Sequence, residues 1–226
     1  MTTAQGSDTI EVRFSDKIRV ATFSDHERAA VSRFMTALFE GTLPLPGYIE
    51  MVAQHHYAYS VLEGAADRLV DHPIAGLFVD EALRRLPSLD TDLVALAGED
   101  WRDLHPPTAG TAAYCERMEA VCVDSPERFV AHHYTRYLGD LSGGQMIGSV
   151  TRGTYGFEEG AGAAFYEFAD IADPGAYKQA YREHLDTAPF TDEERVNLLD
   201  EVRIAYGLNT AVFVDLDEML HGGSFG

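Results

Sequence analysis

Apolar residues recur along this chain at spacings of three and four almost throughout, a pattern typical of amphipathic helices. Stretches of strictly alternating polar and apolar residues are missing, and no internal repeat or low-complexity linker interrupts the pattern. Capping residues and helix breakers divide it into predicted helices. These cover residues 16–40, 47–70, 88–98, 109–123, a long glycine-bearing segment that begins at 125–126 and continues to the loop after 155–156, 174–185 and 192–220. The pattern predicts an all-α chain with a single domain over residues 11–220, flanked by short tails at 1–10 and 221–226.

Local signals set the expected helix ends. Ser15 is a candidate N-cap for the first helix, and Ser88 for the third. Pro126 occupies the first position of the long helix, where proline is tolerated because no hydrogen bond is lost. Thr191 and Glu194 have the spacing of a capping box before the last helix. The segment 101–107 is predicted to be a connector.

Within the long predicted helix, four glycines fall within ten residues: Gly139, Gly143, Gly144 and Gly148. Each glycine in a helix interior costs about 1 kcal/mol relative to alanine, so the cluster needs a compensating reason. Either the helix is kinked and packs closely against a neighbour, or its bare backbone forms a platform for a flat ligand. Asp140 lies inside the cluster without an obvious basic neighbour in sequence, an unusual place for a charge, and both explanations stay open from these residues alone.

Composition narrows the function further. Lys+Arg 17 against Asp+Glu 37 gives a net charge of −20, which disfavours binding to nucleic acid or to anionic membranes. The sequence has no apolar run long enough to span a membrane and no signal segment, so we expect no membrane anchor. Cys115 and Cys122 are seven residues apart on one predicted helix, about 10 Å by helical rise, too far for a disulfide. Two reduced thiols indicate a cytoplasmic protein.

The segment 136–145, R-Y-L-G-D-L-S-G-G-Q, resembles the signature of the heme oxygenase family nearly letter for letter. The resemblance implies a multi-helix bundle with haem, both substrate and cofactor, between the first helix and the glycine-kinked distal helix. It implies that haem is opened to biliverdin with release of iron and carbon monoxide, using O2 and electrons from a donor such as a ferredoxin/reductase system. Membrane-attached members of the family end in a hydrophobic tail. The C-terminal H-G-G-S-F-G is not such a tail, and in this respect the chain resembles the soluble bacterial members.

The family binds haem iron through a histidine on the first helix, and the resemblance assigns this role to His26. The match is carried by His26 together with Phe34-Met35 and Gly41. Many members have a carboxylate four residues after this histidine, whereas this chain has Ala30, so another group must orient the imidazole. The members of the pairs 55–56 and 132–133 point about 100° apart on a helix and are predicted to serve in packing or at the surface.

The resemblance also assigns residues to the rest of the site. Basic groups at the pocket mouth would hold the two haem propionates, with a tyrosine hydroxyl as a further donor: Arg19, Lys178, Arg182 and Tyr134. Distal residues would hold water with Asp140, namely Tyr59 and Arg136. Pocket walls would include Met35, Phe213 and Asn209. In this scheme Gly139, Gly143 and Gly144 crowd dioxygen toward one bridge carbon while Asp140 delivers a proton through water.

Two other classes remain open from the residues alone. A haem carrier would keep His26 and the cations but would not need Asp140. A non-haem member of the same fold, such as a di-iron oxidase or a thiaminase-like protein, would need clustered Glu, Asp and His ligands on several helices. The intact G-D-L-S-G-G motif favours the oxygenase.

Overall fold

The computed structural model describes residues 12–24, 32–158 and 161–222, and these contain no β-strand. The all-α prediction is therefore confirmed. None of the described helices combines the length and apolar character needed to cross a bilayer. The helices are α1 (Phe14–Ala21), α2 (Arg33–Phe39), α3 (Leu45–Leu69), α4 (Leu86–Ala97), α5 (Trp101–Leu104), α6 (Ala109–Val121), α7 (126–155), α8 (Pro174–Thr187) and α9 (Asp192–His221).

The prediction of one continuous helix over 16–40 is wrong. Helix α1 ends at Ala21, where the Thr22 hydroxyl donates back to the carbonyl of Ile18 at 2.8 Å. A new helix, α2, begins after Ser32, whose hydroxyl caps it by accepting a hydrogen bond from the Met35 amide at 3.0 Å. Ser15 is not a cap either, since its amide and hydroxyl both donate to Asp186 of α8. Those two bonds tie α1 to α8.

Most other helices begin and end close to their predicted limits. The capping box at Thr191 and Glu194 is formed, with the hydroxyl and the carboxylate each serving the other residue's backbone. Helix α4 begins at Leu86 rather than at Ser88, because Pro87 is accommodated in its first turn. The predicted connector after residue 101 contains the short helix α5, which begins at the fully buried Trp101. The tail at 1–10 lies outside the described residues.

Helix α9 packs against both α6 and the start of α7, and this contact forms one side of the core. At Gly110 an added Cβ would lie 2.8 Å from the carbonyl carbon of Ala211, so the backbones of α6 and α9 approach too closely for any side chain. The Gly110 amide donates to the carboxylate of Asp215 at 2.6 Å. Glycine is therefore required here by helix packing.

Helix α7 carries the glycine cluster and departs from α-helical geometry there. Two five-residue π-helical segments, Tyr134–Leu138 and Asp140–Gly144, interrupt it before α-helix resumes over Gln145–Tyr155. Such wide turns are rare and occur mainly at functional sites. The helix ends at Gly156, which has a φ of +70°. The glycine-bearing helix is therefore widened by π-helical turns at the place where a kink was one of the two expectations.

Candidate active site

A cleft runs along α7 and consists of two adjoining cavities that share Gly139 and Tyr206 as walls. The inner cavity has a volume of about 160 Å³ and the outer one about 260 Å³. The inner walls include predicted and unpredicted residues: Met35, His55, Arg136, Asp140, Asn209 and Phe213. The outer walls include Arg19, Phe23, Tyr134, Leu138, Ser142 and Arg182.

Asp140 lies in the second π-helical segment and interacts with Tyr59 on α3 and with Arg136, four residues earlier on its own helix. The hydroxyl of Tyr59 donates a hydrogen bond to its carboxylate. Burial raises the pKa of Asp140, while the positive charge of Arg136 and the Tyr59 hydrogen bond act in the opposite direction. Burial and the nearby carboxylate raise the pKa of Tyr59 well above its ordinary value. Both shifts favour the protonated form of the group concerned.

Arg136 lies one turn before Asp140 and is the basic neighbour that the linear sequence did not make obvious. Its guanidinium carbon lies 4.8 Å from the centroid of the Tyr59 ring, and its Nη1 donates to Asn209 on α9 at 2.9 Å. Its Nε and Nη2 are buried and have no hydrogen-bond partner among the described residues. Buried donors of this kind need acceptors. The inner cavity is therefore suited to water or to an oxygen-bearing ligand.

The four clustered glycines of α7, at positions 139, 143, 144 and 148, divide into two pairs. An added Cβ at Gly144 would lie 3.2 Å from the ring of Tyr166, and at Gly148 only 2.8 Å from the Tyr166 Cβ. At Gly139 and Gly143, by contrast, an added Cβ would meet nothing within 4 Å in the described part of the chain. Both explanations of the cluster thus hold, each for one pair. One pair permits close packing and the other presents bare backbone to open space.

The predicted cations surround the outer cavity. Arg19, Tyr134 and Arg182 line it, and Lys178 donates to the hydroxyl of Ser142, another wall residue, at 3.2 Å. Arg19 is exposed and forms a weak pair with Asp16 at 3.7 Å. In a chain with a net charge of −20, this local group of cations is notable. Its geometry suits an anionic group at the cleft mouth.

The described residues include some of the predicted site residues and not others. His26 and Ala30 lie outside the described residues, so the assigned iron ligand stays a prediction. Met35 and Phe213 are buried and line the inner cavity. Tyr59 is fully buried.

The two histidine pairs serve largely in packing, as predicted. His56 bonds Asp90 at 3.0 Å, His132 bonds Glu201 at 3.0 Å, and His133 bonds the hydroxyl of Tyr181 at 2.9 Å. Among the described residues no group of three or more His, Cys, Asp or Glu side chains could hold a metal ion. His55 is the exception to the packing role, because it lines the inner cavity.

Sequence reasoning missed His55 and Tyr166 as residues of the site. His55 is four residues before Tyr59, and on a helix this spacing puts both on one face. That signal was available in the sequence. For Tyr166 none was, because its contact with α7 depends on how the short turn Ala164–Tyr166 is held. Asp92 accepts from the amides of Ala164 and Phe165 at 2.9 and 2.8 Å, and Arg85 donates to the carbonyls of Phe165 and Glu167 at 3.1 and 2.7 Å.

The fold and the cleft together define an all-α protein with a bare helix backbone, a partly buried carboxylate and a cationic rim around one site. Comparison with known proteins identifies the class. The family model for heme oxygenase matches residues 12–215, and the chain belongs to the heme oxygenase family. Heme oxygenase 1 of Nostoc sp. is 34% identical over 203 residues, covering 90% of this chain and 85% of that protein.

Other relatives agree. Heme oxygenase 1 of Bos taurus is 35% identical over 208 residues, covering 91% of this chain and 72% of that protein. Among solved structures, heme oxygenase-1 of Synechocystis sp. in complex with heme superposes with a TM-score of 0.87 at 33% identity. The match covers 94% of this chain and 96% of that one. The overall architecture is therefore that of the family.

Proposed function

We propose that the cleft along α7 binds haem against the bare backbone at Gly139 and Gly143. The chain is a heme oxygenase: it opens haem to biliverdin and releases iron and carbon monoxide, using O2 and external electrons. The observation that supports the binding mode best is the open space at these two glycines, next to the Tyr59–Asp140 pair. A flat ring needs a wall without side chains, and these two glycines supply one.

The residues of the cleft suit haem chemically. When bound, haem supplies the iron at which dioxygen is reduced. Arg19, Lys178 and Arg182, with the hydroxyl of Tyr134, would hold the propionates by charge-assisted hydrogen bonds. His26 is the proposed iron ligand, a role for which a neutral imidazole is suited. With Ala30 in place of a carboxylate, water or a backbone carbonyl would orient that imidazole.

The distal residues would supply protons without promoting cleavage of the O–O bond of dioxygen. Asp140, with its raised pKa, is suited to hold a water and pass a proton to it. The Tyr59 hydroxyl fixes the carboxylate, and Arg136 is fixed by Asn209. The unpaired Nε and Nη2 of Arg136 would complete the hydrogen bonds of this water. The helix backbone at Gly139 and Gly143 would crowd dioxygen from one side, so that it would have room only toward one bridge carbon of the haem ring.

Two further assignments belong to this proposal. The electron donor would be a ferredoxin/reductase type of system. The chain would function in the cytoplasm, since Cys115 and Cys122 are free thiols, and burial raises the pKa of both, to about 11 and about 12. Such thiols are inert and suit a reducing compartment.

The main competing function is haem carriage without turnover. The Tyr59–Asp140 pair favours the oxygenase, because a carrier would not need a proton donor next to the bare backbone. Titration with hemin followed by addition of ascorbate or an NADPH-fed reductase separates the two. We expect a Soret band that forms on titration and is lost under reductant in air, with a bilin absorption replacing it. A stable Soret band under reductant would instead identify a carrier.

A further inference from the structure

His55 is a buried histidine of the inner cavity that the mechanism above does not use. It lies on α3, one helical turn before Tyr59, and its side chain faces the same cavity as Asp140 and Arg136. Only 9% of the residue's surface is exposed. One face of its ring packs against Phe165, with centroids 5.4 Å apart and an interplanar angle of 59°.

His55 differs from the other buried histidines of the core in having no hydrogen-bond partner in the described part of the chain. His56, His132 and His133 each bond a carboxylate or a hydroxyl. The one ring contact of His55 is with Phe165. Buried polar groups are nearly always hydrogen-bonded, so a histidine left unpaired beside a cavity indicates a partner within that cavity.

The cavity offers such a partner. Nε and Nη2 of Arg136 are also buried and unpaired among the described residues, and they belong to the same cavity wall. A cavity of about 160 Å³ has room for several waters. Burial, with the positive charge of Arg136 adding to it, lowers the pKa of His55 well below its ordinary value. The ring is therefore neutral and has one acceptor nitrogen, whereas Nε and Nη2 of Arg136, unpaired among the described residues, carry only donors. A water between them could donate to His55 and accept from Arg136.

We propose that His55 is a further positioning residue of the reaction, accepting a hydrogen bond from a cavity water that Arg136 also binds. In this arrangement the water is held from both sides, beside the Tyr59–Asp140 pair. His55 stays neutral and orders the water, while Asp140 remains the proton donor. This inference rests on the proposed function for its role in turnover, but the hydrogen bond itself exists independently of haem chemistry.

The hydrogen bond is tested first in the haem-free chain by ¹⁵N NMR of labelled histidines, with His55→Leu used to identify the resonances. We expect His55 to remain neutral between about pH 5 and 8, where an ordinary histidine titrates. Its acceptor nitrogen should shift on Arg136→Met, while the resonances of His133 stay in place. A His55 ring that titrates near its ordinary pKa, or that ignores the Arg136 substitution, would overturn the proposal.

Turnover supplies the second test. We expect His55→Leu to bind haem normally and to form biliverdin about tenfold more slowly, because the cavity water loses its acceptor. His55→Gln restores an acceptor and should recover most of the rate. His56→Gln, on the neighbouring position outside the cavity, should turn over like wild type. Wild-type rates in His55→Leu would show a packing role only. Absence of turnover in the wild-type chain would instead contradict the proposed function, and the NMR result would still decide the hydrogen bond.

Discussion

Substituting the glycines of α7 one at a time by alanine separates the ligand platform from the packing contact. Alanine gains about 1 kcal/mol of helix propensity over glycine, wherever its methyl group has room. At Gly139 and Gly143 the methyl would meet no atom of the described residues within 4 Å, and Gly153, exposed on the same helix, is a matched control. At Gly148 the methyl would meet the Cβ of Tyr166 at 2.8 Å.

These distances set the expected stabilities. Overpacking at Gly148 costs about 1–3 kcal/mol, which equals or exceeds the gain in propensity. A change of 1 kcal/mol shifts the Tm of a chain of this size by about 2–4 °C. Without haem, alanine at Gly139, Gly143 or Gly153 should leave Tm unchanged or raise it by that amount. Alanine at Gly148 should lower it by up to a few degrees.

The alanine variants should rank in the opposite order for haem affinity: those that leave Tm unchanged or raise it at the platform should weaken haem binding. A methyl at Gly139 or Gly143 occupies the layer in which the ring would lie, so hemin titration should show binding weakened by about tenfold or more, equivalent to 1.4 kcal/mol. The Gly153→Ala control should bind as wild type. Unfolding by calorimetry and titration by Soret absorbance measure the two effects on the same samples. If Gly139→Ala and Gly143→Ala both bound hemin as tightly as Gly153→Ala, haem would not lie on this backbone.

Three other predictions address the proton donor, the cations and acid stability. Asp140→Ala should bind haem normally but lose biliverdin formation by about a hundredfold or more, and should gain peroxide-driven dye oxidation; normal product yield would refute its role. Replacing Lys178 and Arg182 together by Glu should weaken haem binding and turn a single biliverdin isomer into a mixture, as resolved by chromatography; one unchanged isomer at unchanged affinity would make them surface charges. Although burial alone would raise the pKa of Glu201, its hydrogen bonds to His132 and Arg117 lower it from 4.5 to about 2. The stabilising contribution of this carboxylate is therefore fully present above about pH 4.5 and is lost as the pH falls toward 2. Glu201→Gln should flatten that part of the plot of unfolding free energy against pH. An unchanged plot would contradict this assignment.

Much of the fold could be predicted because helix ends depend on local chemistry. The capping box at Thr191 and the placement of Pro126 need only a few neighbouring residues. The role of Ser15 could not be foreseen in the same way, since it bonds Asp186, far along the chain, instead of capping its own helix. The break after Ala21 could not be foreseen either. The apolar spacing across 16–40 continued through that break and suggested one helix.

The candidate site was predictable where one segment carries it and not where distant segments meet. The glycines and Asp140 occur together in the motif, so the bare backbone and the carboxylate followed from the sequence. The packing of Tyr166 against Gly148 depends on a turn held by Asp92 and Arg85, and no local pattern encodes it. The histidine pairs looked alike in sequence apart from the spacing of His55 to Tyr59, and in the structure His55 is the one of the four that lines the inner cavity.

The central claim is that this chain opens haem rather than only binding it. It is tested most directly by loading the chain with hemin, allowing one turnover with a reductant in air, and measuring the products by mass spectrometry and gas analysis. The account predicts a product with the mass of biliverdin, together with one equivalent each of carbon monoxide and chelatable iron. Recovery of intact haem, or loss of haem without carbon monoxide and biliverdin, would contradict it.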